Sequence, residues 1–353
     1  MMDSELLLVT NLKEARHELA QTITDLHYKH HPELEEQYGE RGRKKCYEDA
    51  LYHISYLEQS VRVSSSDLFS NYLEWARTML KERGIPESDL IDNIAYMKYA
   101  IEQKLPDDHA QKLIEFIDIG LKSLQSHPHR SQTFLNSGEP LVEEARTYLD
   151  LLLAGNRKKA AELIEELVEE GQSIRDIYEH IFQKTQYEVG ALWQSNKISV
   201  AHEHYCTAAT QLIMSGLYPR IFSMEKNGKK LVACSVADEL HEIGIRMVSD
   251  FFEMEGWDTQ YLGANMPDED LIKLLNEDKP DILAISVTLP LHIDRAANLI
   301  EKVRVDEQAG NIKIMVGGYP FLIVPDLWEK IGADASAKSA KDAIETANKL
   351  LLN

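Results

Sequence analysis

The 353 residues include only three cysteines, Cys46, Cys206 and Cys234. So odd and sparse a set gives no disulfide framework and suits a reducing compartment. Basic residues are scarce too: 38 Lys and Arg against 59 Asp and Glu leave a net charge of −21. A chain this acidic is poorly suited to gripping phosphate backbones, so no direct DNA binding is expected. Long apolar runs are missing, none approaching the ~18 residues of a membrane span. The start, MMDSELLLVTNLKEARHE, lacks the basic region and small-residue cleavage site of a signal peptide, so a cytoplasmic protein is expected. What is present is the apolar share of a folded chain, 44%, at a length that suits two or three domains.

The texture changes twice along the chain. Residues 1–130 carry apolar positions three and four apart (Leu19, Ile23, Leu26; Leu51, Ile54, Leu57; Phe69, Leu73, Trp75, Leu80; Ile94, Met97, Ile101), which predicts an all-helical domain. A polar stretch rich in Ser, His and Pro, 126–140, reads as a linker. Residues 139–224 hold four more amphipathic segments with Gly155 and Gly171 at C-cap positions, which predicts a four-helix bundle. From 228 to 353, short β-rich runs (LVACSV, DTQYL, ILAISV, IKIMVGG, ADASAK) alternate with helical segments. That alternation predicts a flavodoxin-like, five-stranded parallel α/β domain. The fold class is therefore multidomain, α and α/β.

Three features of the last domain fall at strand ends, where doubly wound sheets bind ligands. Glu239-Leu-His241-Glu-Ile-Gly244 follows the first strand, Ser286-Val-Thr288 the third, and Gly317-Gly318 the fourth. Forty-one positions separate Gly244 from Ser286, and 28 separate Thr288 from Gly317. A histidine there can offer a ring nitrogen to a metal while a carboxylate two residues earlier fixes its tautomer. Glycines let a bulky ligand approach the backbone. Singly, each also fits a turn, a core contact or chance. In this order and spacing, they resemble the cobalamin-binding domain of the methionine synthase type, and the preceding bundle resembles that family's cap. The resemblance covers about 139–353. It implies that His241 is the lower axial ligand of cobalt. It also implies that the cofactor's nucleotide tail is buried past Gly244, Ser286, Thr288, Gly317 and Gly318. Two positions depart from the family: Glu239 stands for Asp, and Thr288 for Leu.

Within the cap, Trp193 precedes Glu203-His204 by nine intervening residues. That spacing resembles the adenosylcobalamin photoreceptors of the CarH type, and implies that Trp193, Val200, Glu203 and His204 roof the upper corrin face. A core indole beside a solvent-facing Glu-His pair is the plainer reading of the same residues. Gln194 stands where that family has the histidine that ligates cobalt after illumination, which leaves His202 or His204 as possible substitutes.

Residues 1–130 lack the Lys- and Arg-rich recognition helix of those repressors. They do gather His27, His30, His31, then Arg41, Arg43, Cys46 and His53, near Phe69, Tyr72 and Trp75. Basic residues and a histidine beside aromatics suit a second tetrapyrrole, but also a solvated turn beside core aromatics. The domain order resembles photocobilins, which pair cobalamin with a bilin such as biliverdin.

The leading expectation is a non-enzymatic light sensor. Photolysis of adenosylcobalamin's cobalt–carbon bond would shift cap against sheet and signal through a homo-oligomer or a separate output protein. One alternative is a corrinoid methyl carrier, like the small subunits of methanol or methylamine methyltransferases. Another is a haem-binding redox sensor.

Overall fold

In a computed structural model describing residues 2–126, 133–222 and 225–352, apolar side chains three and four apart close five helices on one another. Six residues of the expected linker, 127–132, lie outside the described residues. The helices are α1 (Met2–His30), α2 (Glu33–Arg62, broken at Gly39 where φ is +54), α3 (Ser66–Lys81), α4 (Glu87–Lys104) and α5 (Asp107–Ser126). Leu19, Ile23, Ile54, Leu57, Phe69, Leu73, Ile94, Met97 and Ile101 form one buried core, as the periodicity predicts. Trp75 departs from it: its side chain is 37% exposed. The chain divides into two compact units, Met1–His129 and Arg130–Asn353.

The second unit begins with the helical cap. Its helices are α6 (Val142–Leu153), α7 (Arg157–Glu169), α8 (Ile174–Asp176), which runs through a π-helical stretch (Ile177–Gln183) into α9 (Lys184–Gln194), α10 (Val200–Gly216) and the short α11 (Tyr218–Ile221). Gly155 and Gly171 take positive φ just past α6 and α7, as C-cap glycines do. The π stretch is the part helical periodicity does not predict.

The α/β part follows with β1 (Lys230–Ser235), α12 (Ile243–Met254), β2 (Asp258–Gly263), α13 (Asp268–Asp278), β3 (Ile282–Ser286), a 3₁₀ turn (Pro290–His292) and α14 (Ile293–Val305). It ends with β4 (Lys313–Gly317), α15 (Tyr319–Ile323), α16 (Leu327–Lys330), β5 (Ala335–Ala337) and α17 (Ala340–Leu350). All strands pair in parallel in the order β2-β1-β3-β4-β5. The order reverses between β1 and β3, so the crevice of this sheet opens at their carboxyl ends. Ser235, Ser286, Gly317 and Ala337 align there in one row across four strands. Small residues at every position keep that edge of the sheet low.

Cap and sheet share a core. Met247 and Phe251 of α12 pack into the cap's apolar cluster with Tyr178, Phe182 and Met214. Hydrogen bonds reinforce the seam: Gln211 Nε2 donates to Glu242 (2.6 Å), Arg246 to Ser215 Oγ (2.7 Å), and Tyr178 OH to Asp250 (2.8 Å). Burial pushes the Asp250 carboxyl up to about 6.

Candidate functional site

The loop leaving β1 carries Glu239, Leu240 and His241, and the backbone turns back when Glu239 N–H bonds to Val236 O. Glu239 is fully buried, while the side chain of His241 is 57% exposed. One carboxylate oxygen of Glu239 accepts from His241 Nδ1 (2.6 Å) and from the His241 backbone N–H (3.0 Å). The other accepts from the backbone N–H groups of Thr288 and Leu289 (2.9 Å each) and from His292 Nδ1 (3.1 Å). Burial alone would raise the Glu239 pKa, but the bonds from His241, His292 and the Leu289 backbone outweigh it and hold the carboxyl well below the usual carboxylate range.

Because an ionised carboxylate only accepts, His241 must present Nδ1–H to it. The lone pair of the neutral ring is then on Nε2, away from the carboxylate. Glu239 raises the pKa of His241 against the opposing effect of burial, and the charge of Glu203 raises it further. Leu240 is 73% exposed beside the imidazole, an apolar surface next to a free ring nitrogen.

Around this pair, Gly244 has open space where a Cβ would project. Ser286 is buried at the end of β3, and Thr288 is half-buried. Gly317 and Gly318 also serve the fold itself. A Cβ at Gly318, where φ is +113, would lie 1.9 Å from the carbonyl oxygen of Val287, and one at Gly317 would lie 3.3 Å from that of Ala337. These glycines let the ends of β3, β4 and β5 close on each other.

On the cap side, Trp193 and Glu203 are half-buried, and Val200 and His204 are exposed. Thr207 Oγ1 donates to Glu203 (2.9 Å), and the second Glu203 oxygen meets His204 Nδ1. His202 closes a capping box at the start of α10, with its Nδ1 2.7 Å from Ser199 Oγ. His292 was not singled out from the sequence. Its only signal there is a histidine six residues beyond a strand that ends at the crevice. Glu242 was missed as well. It accepts from Tyr261 OH (2.8 Å), Ala264 N–H (3.0 Å) and Gln211, tying β2 and the cap to the same loop.

The donor set fits a corrinoid. One imidazole presents its free nitrogen, its other nitrogen is held by a buried carboxylate, and Gly244 leaves room beside it. The family comparisons agree with that geometry. Residues 229–348 match a B12 binding domain, and residues 144–218 match a second B12 binding domain model. This is a cobalamin-binding protein. The chain is 26% identical over 208 residues to dimethylamine corrinoid protein 3 of Methanosarcina acetivorans, a match covering 58% of this chain and 94% of that protein. It is 25% identical to trimethylamine corrinoid protein 1 of the same organism, covering 61% and 99%. The structure of the Methanosarcina barkeri monomethylamine corrinoid protein superposes with a TM-score of 0.52 at 21% identity, over 58% of this chain and 96% of that one, which shows a shared fold. Residues 3–154 match a phycobilisome protein model.

In the N-terminal unit, the residues expected around a second chromophore are committed elsewhere. His53 is buried with Nδ1 2.7 Å from Tyr72 OH. Arg43 pairs with Asp25 (3.0 Å) and Glu35 (3.4 Å) and lies over the Tyr28 ring. Cys46 accepts from Asn93 Nδ2 (3.4 Å), and burial pushes its thiol up to about 11, so it is no thiolate at neutral pH. Arg41 is exposed. As arranged here, Arg43 makes ion pairs, and Cys46 and His53 make hydrogen bonds inside the helical unit. No helix among the described residues is long and apolar enough to cross a membrane.

Proposed function

We propose that residues 139–353 hold a corrinoid between cap and sheet, with His241 Nε2 as the ligand to cobalt. The observation that carries this is the buried Glu239 carboxylate fixing His241 Nδ1 at 2.6 Å while the ring stays exposed. Gly244, Ser286, Thr288, Gly317 and Gly318 line the path of the nucleotide tail in this reading. Trp193, Val200, Glu203 and His204 form the roof, with the indole as a flat apolar cover and Glu203 as a hydrogen-bond acceptor.

A bound corrinoid supplies a cobalt–carbon bond that breaks either on transfer of its alkyl group or on illumination. The corrinoid relatives favour the first use over the light switch that leads from the sequence. On that reading the module is a methyl carrier that docks a separate methyltransferase and catalyses nothing alone. Glu239 would hold His241 oriented as a ligand, and the roof residues would keep water from the bound cofactor.

A second reading rests on a separate observation. The relatives are matched over 94% and 99% of their own length, yet account for 58% and 61% of this chain. The phycobilisome protein match falls on 3–154. A bilin such as biliverdin held by the helical unit, and adenosylcobalamin under Trp193, would make the chain a light sensor with two pigments. One experiment separates the readings. The full chain is purified in darkness from cells supplied with cobalamin and biliverdin, its spectrum is recorded, and the sample is illuminated. Cobalt bands indifferent to light, with methyl transfer to an added thiol, support the carrier. Light-driven change in those bands with release of the adenosyl group, and a bilin band as isolated, support the sensor and contradict the carrier.

A further inference from the structure

In the helical unit, two pairs of residues three apart face each other. His53 and Tyr56 come from α2, and Tyr72 and Trp75 from α3. The Tyr56 and Tyr72 rings stack with centroids 3.7 Å apart and planes at 11°, and the Trp75 indole follows Tyr72 at 6.4 Å and 24°. His53 meets Tyr72 edge-on, with its Nδ1 2.7 Å from the hydroxyl. Tyr72 and His53 are buried, whereas Trp75 is 37% exposed. The row therefore runs from the surface to a buried phenol that is bonded to a buried imidazole.

Burial decides the state of both partners. It holds the imidazole down to about 4 and the phenol well above its ordinary value, so both are uncharged at neutral pH. Among the described residues, His53 Nδ1 is the one hydrogen-bond partner of the Tyr72 hydroxyl. Buried hydroxyl protons are kept bonded, so the phenol donates, Nδ1 accepts, and the hydrogen of the neutral ring sits on Nε2. Two apolar side chains of the same shape would fill this place at little or no cost in stability, so the polar pair calls for a use. Loss of one electron is the chemistry that suits it. A phenol that has lost an electron is a strong acid, and its proton can pass along the existing bond to the imidazole. The Asp49 carboxylate, one turn before His53 on α2, is close enough to act on Tyr72 and favours the imidazolium so formed.

We propose that Trp75, Tyr72 and His53 form a relay for one-electron oxidation: a diffusible oxidant of the peroxyl-radical class takes an electron from Trp75 at the surface, Tyr72 refills the indole, and the Tyr72 proton moves to His53 Nδ1. The peroxyl radical gains the electron and, with a proton from water, becomes a hydroperoxide. The chain is left with a neutral tyrosyl radical beside an imidazolium. A thiol then returns the electron, loses its proton to solvent and leaves as a thiyl radical, while the His53 proton goes back to the Tyr72 oxygen. This activity needs neither cobalt nor a bilin. It draws oxidising equivalents from the surface of the unit to one buried phenol.

The test exposes the full chain to azide radical, a one-electron oxidant made by pulse radiolysis. Absorption and freeze-quenched electron paramagnetic resonance follow the products. The wild type should show an indole radical that decays into a long-lived tyrosyl radical. That long-lived signal should be lost in Tyr72→Phe and kept in Tyr52→Phe, which removes an exposed phenol of α2. Trp75→Phe should delay its rise. His53→Gln leaves the hydroxyl an acceptor but no base, and should shorten the tyrosyl lifetime to that of exposed phenols. A further readout needs no variant: the nitrogen-15 spectrum of the wild type should show His53 as the Nε2–H tautomer. A long-lived signal kept in Tyr72→Phe or lost in Tyr52→Phe would overturn the relay. An undelayed rise in Trp75→Phe would contradict entry through the indole. An unchanged lifetime in His53→Gln, or an Nδ1–H tautomer at His53 in the wild type, would contradict the proton step.

Discussion

Glu239 and His53 illustrate two fates of a buried ionisable group. Glu239 stays charged because five N–H groups converge on it. His53 stays neutral because burial alone holds its imidazole down to about 4, with only the Tyr72 hydroxyl at its Nδ1. The consequence for stability has a definite sign. The unfolded chain takes up a proton near the ordinary histidine value of about 6.5, and the folded one does not until about 4. The contribution of His53 is therefore fully present above pH 6.5 and is lost as pH falls towards 4, amounting to roughly 3 kcal/mol. Protection factors of amides in α2 and α3, with the intrinsic pH dependence of exchange divided out, should fall between pH 7 and pH 5 in the wild type. In His53→Gln, that fall should shrink, and an equal fall in both would exclude His53 as its source. The pairing of Glu239 with His241 was legible in the sequence because the partners are two positions apart. Its link to His292 was not, since 53 positions separate them and only the closure of the β1 and β3 loops brings them together.

At the level of elements, the apolar spacing and the strand–helix alternation carried most of the fold: a helical N-terminal region, a helical cap and five parallel strands. Periodicity reports burial on one face, however, and says nothing of which side chains meet across faces. It missed the π stretch that turns Tyr178 onto Asp250. It gave Trp75 to the core although that ring is partly exposed. It gave no partners for Arg43, Cys46 and His53, which meet Asp25 and Glu35, Asn93 and Tyr72 respectively. Gly318 was noticed for a ligand, and its positive φ and the 1.9 Å approach to Val287 O give it a part in strand packing as well. Gly318→Ala should therefore destabilise the apoprotein by roughly 2–4 kcal/mol, read as a fall in the denaturant midpoint of the second unit. A midpoint unchanged from wild type would contradict the packing role.

On the scale of the whole molecule, the acidic surface and the two compact units describe a chain with more in it than a corrinoid module. The module accounts for the cobalt chemistry, and its relatives stop where it stops. The helical unit adds 129 residues with a core of its own and a match to a different family. In the proposed reading, either use of cobalt, carrier or sensor, depends on one nitrogen being bound. The most direct measurement is the electron paramagnetic resonance spectrum of the full chain loaded with cob(II)alamin, prepared with natural nitrogen and again with nitrogen-15 histidine. Coordination by His241 predicts a three-line nitrogen splitting that becomes two-line on labelling and vanishes in His241→Ala. A splitting that ignores the label, or survives the substitution, would contradict the account.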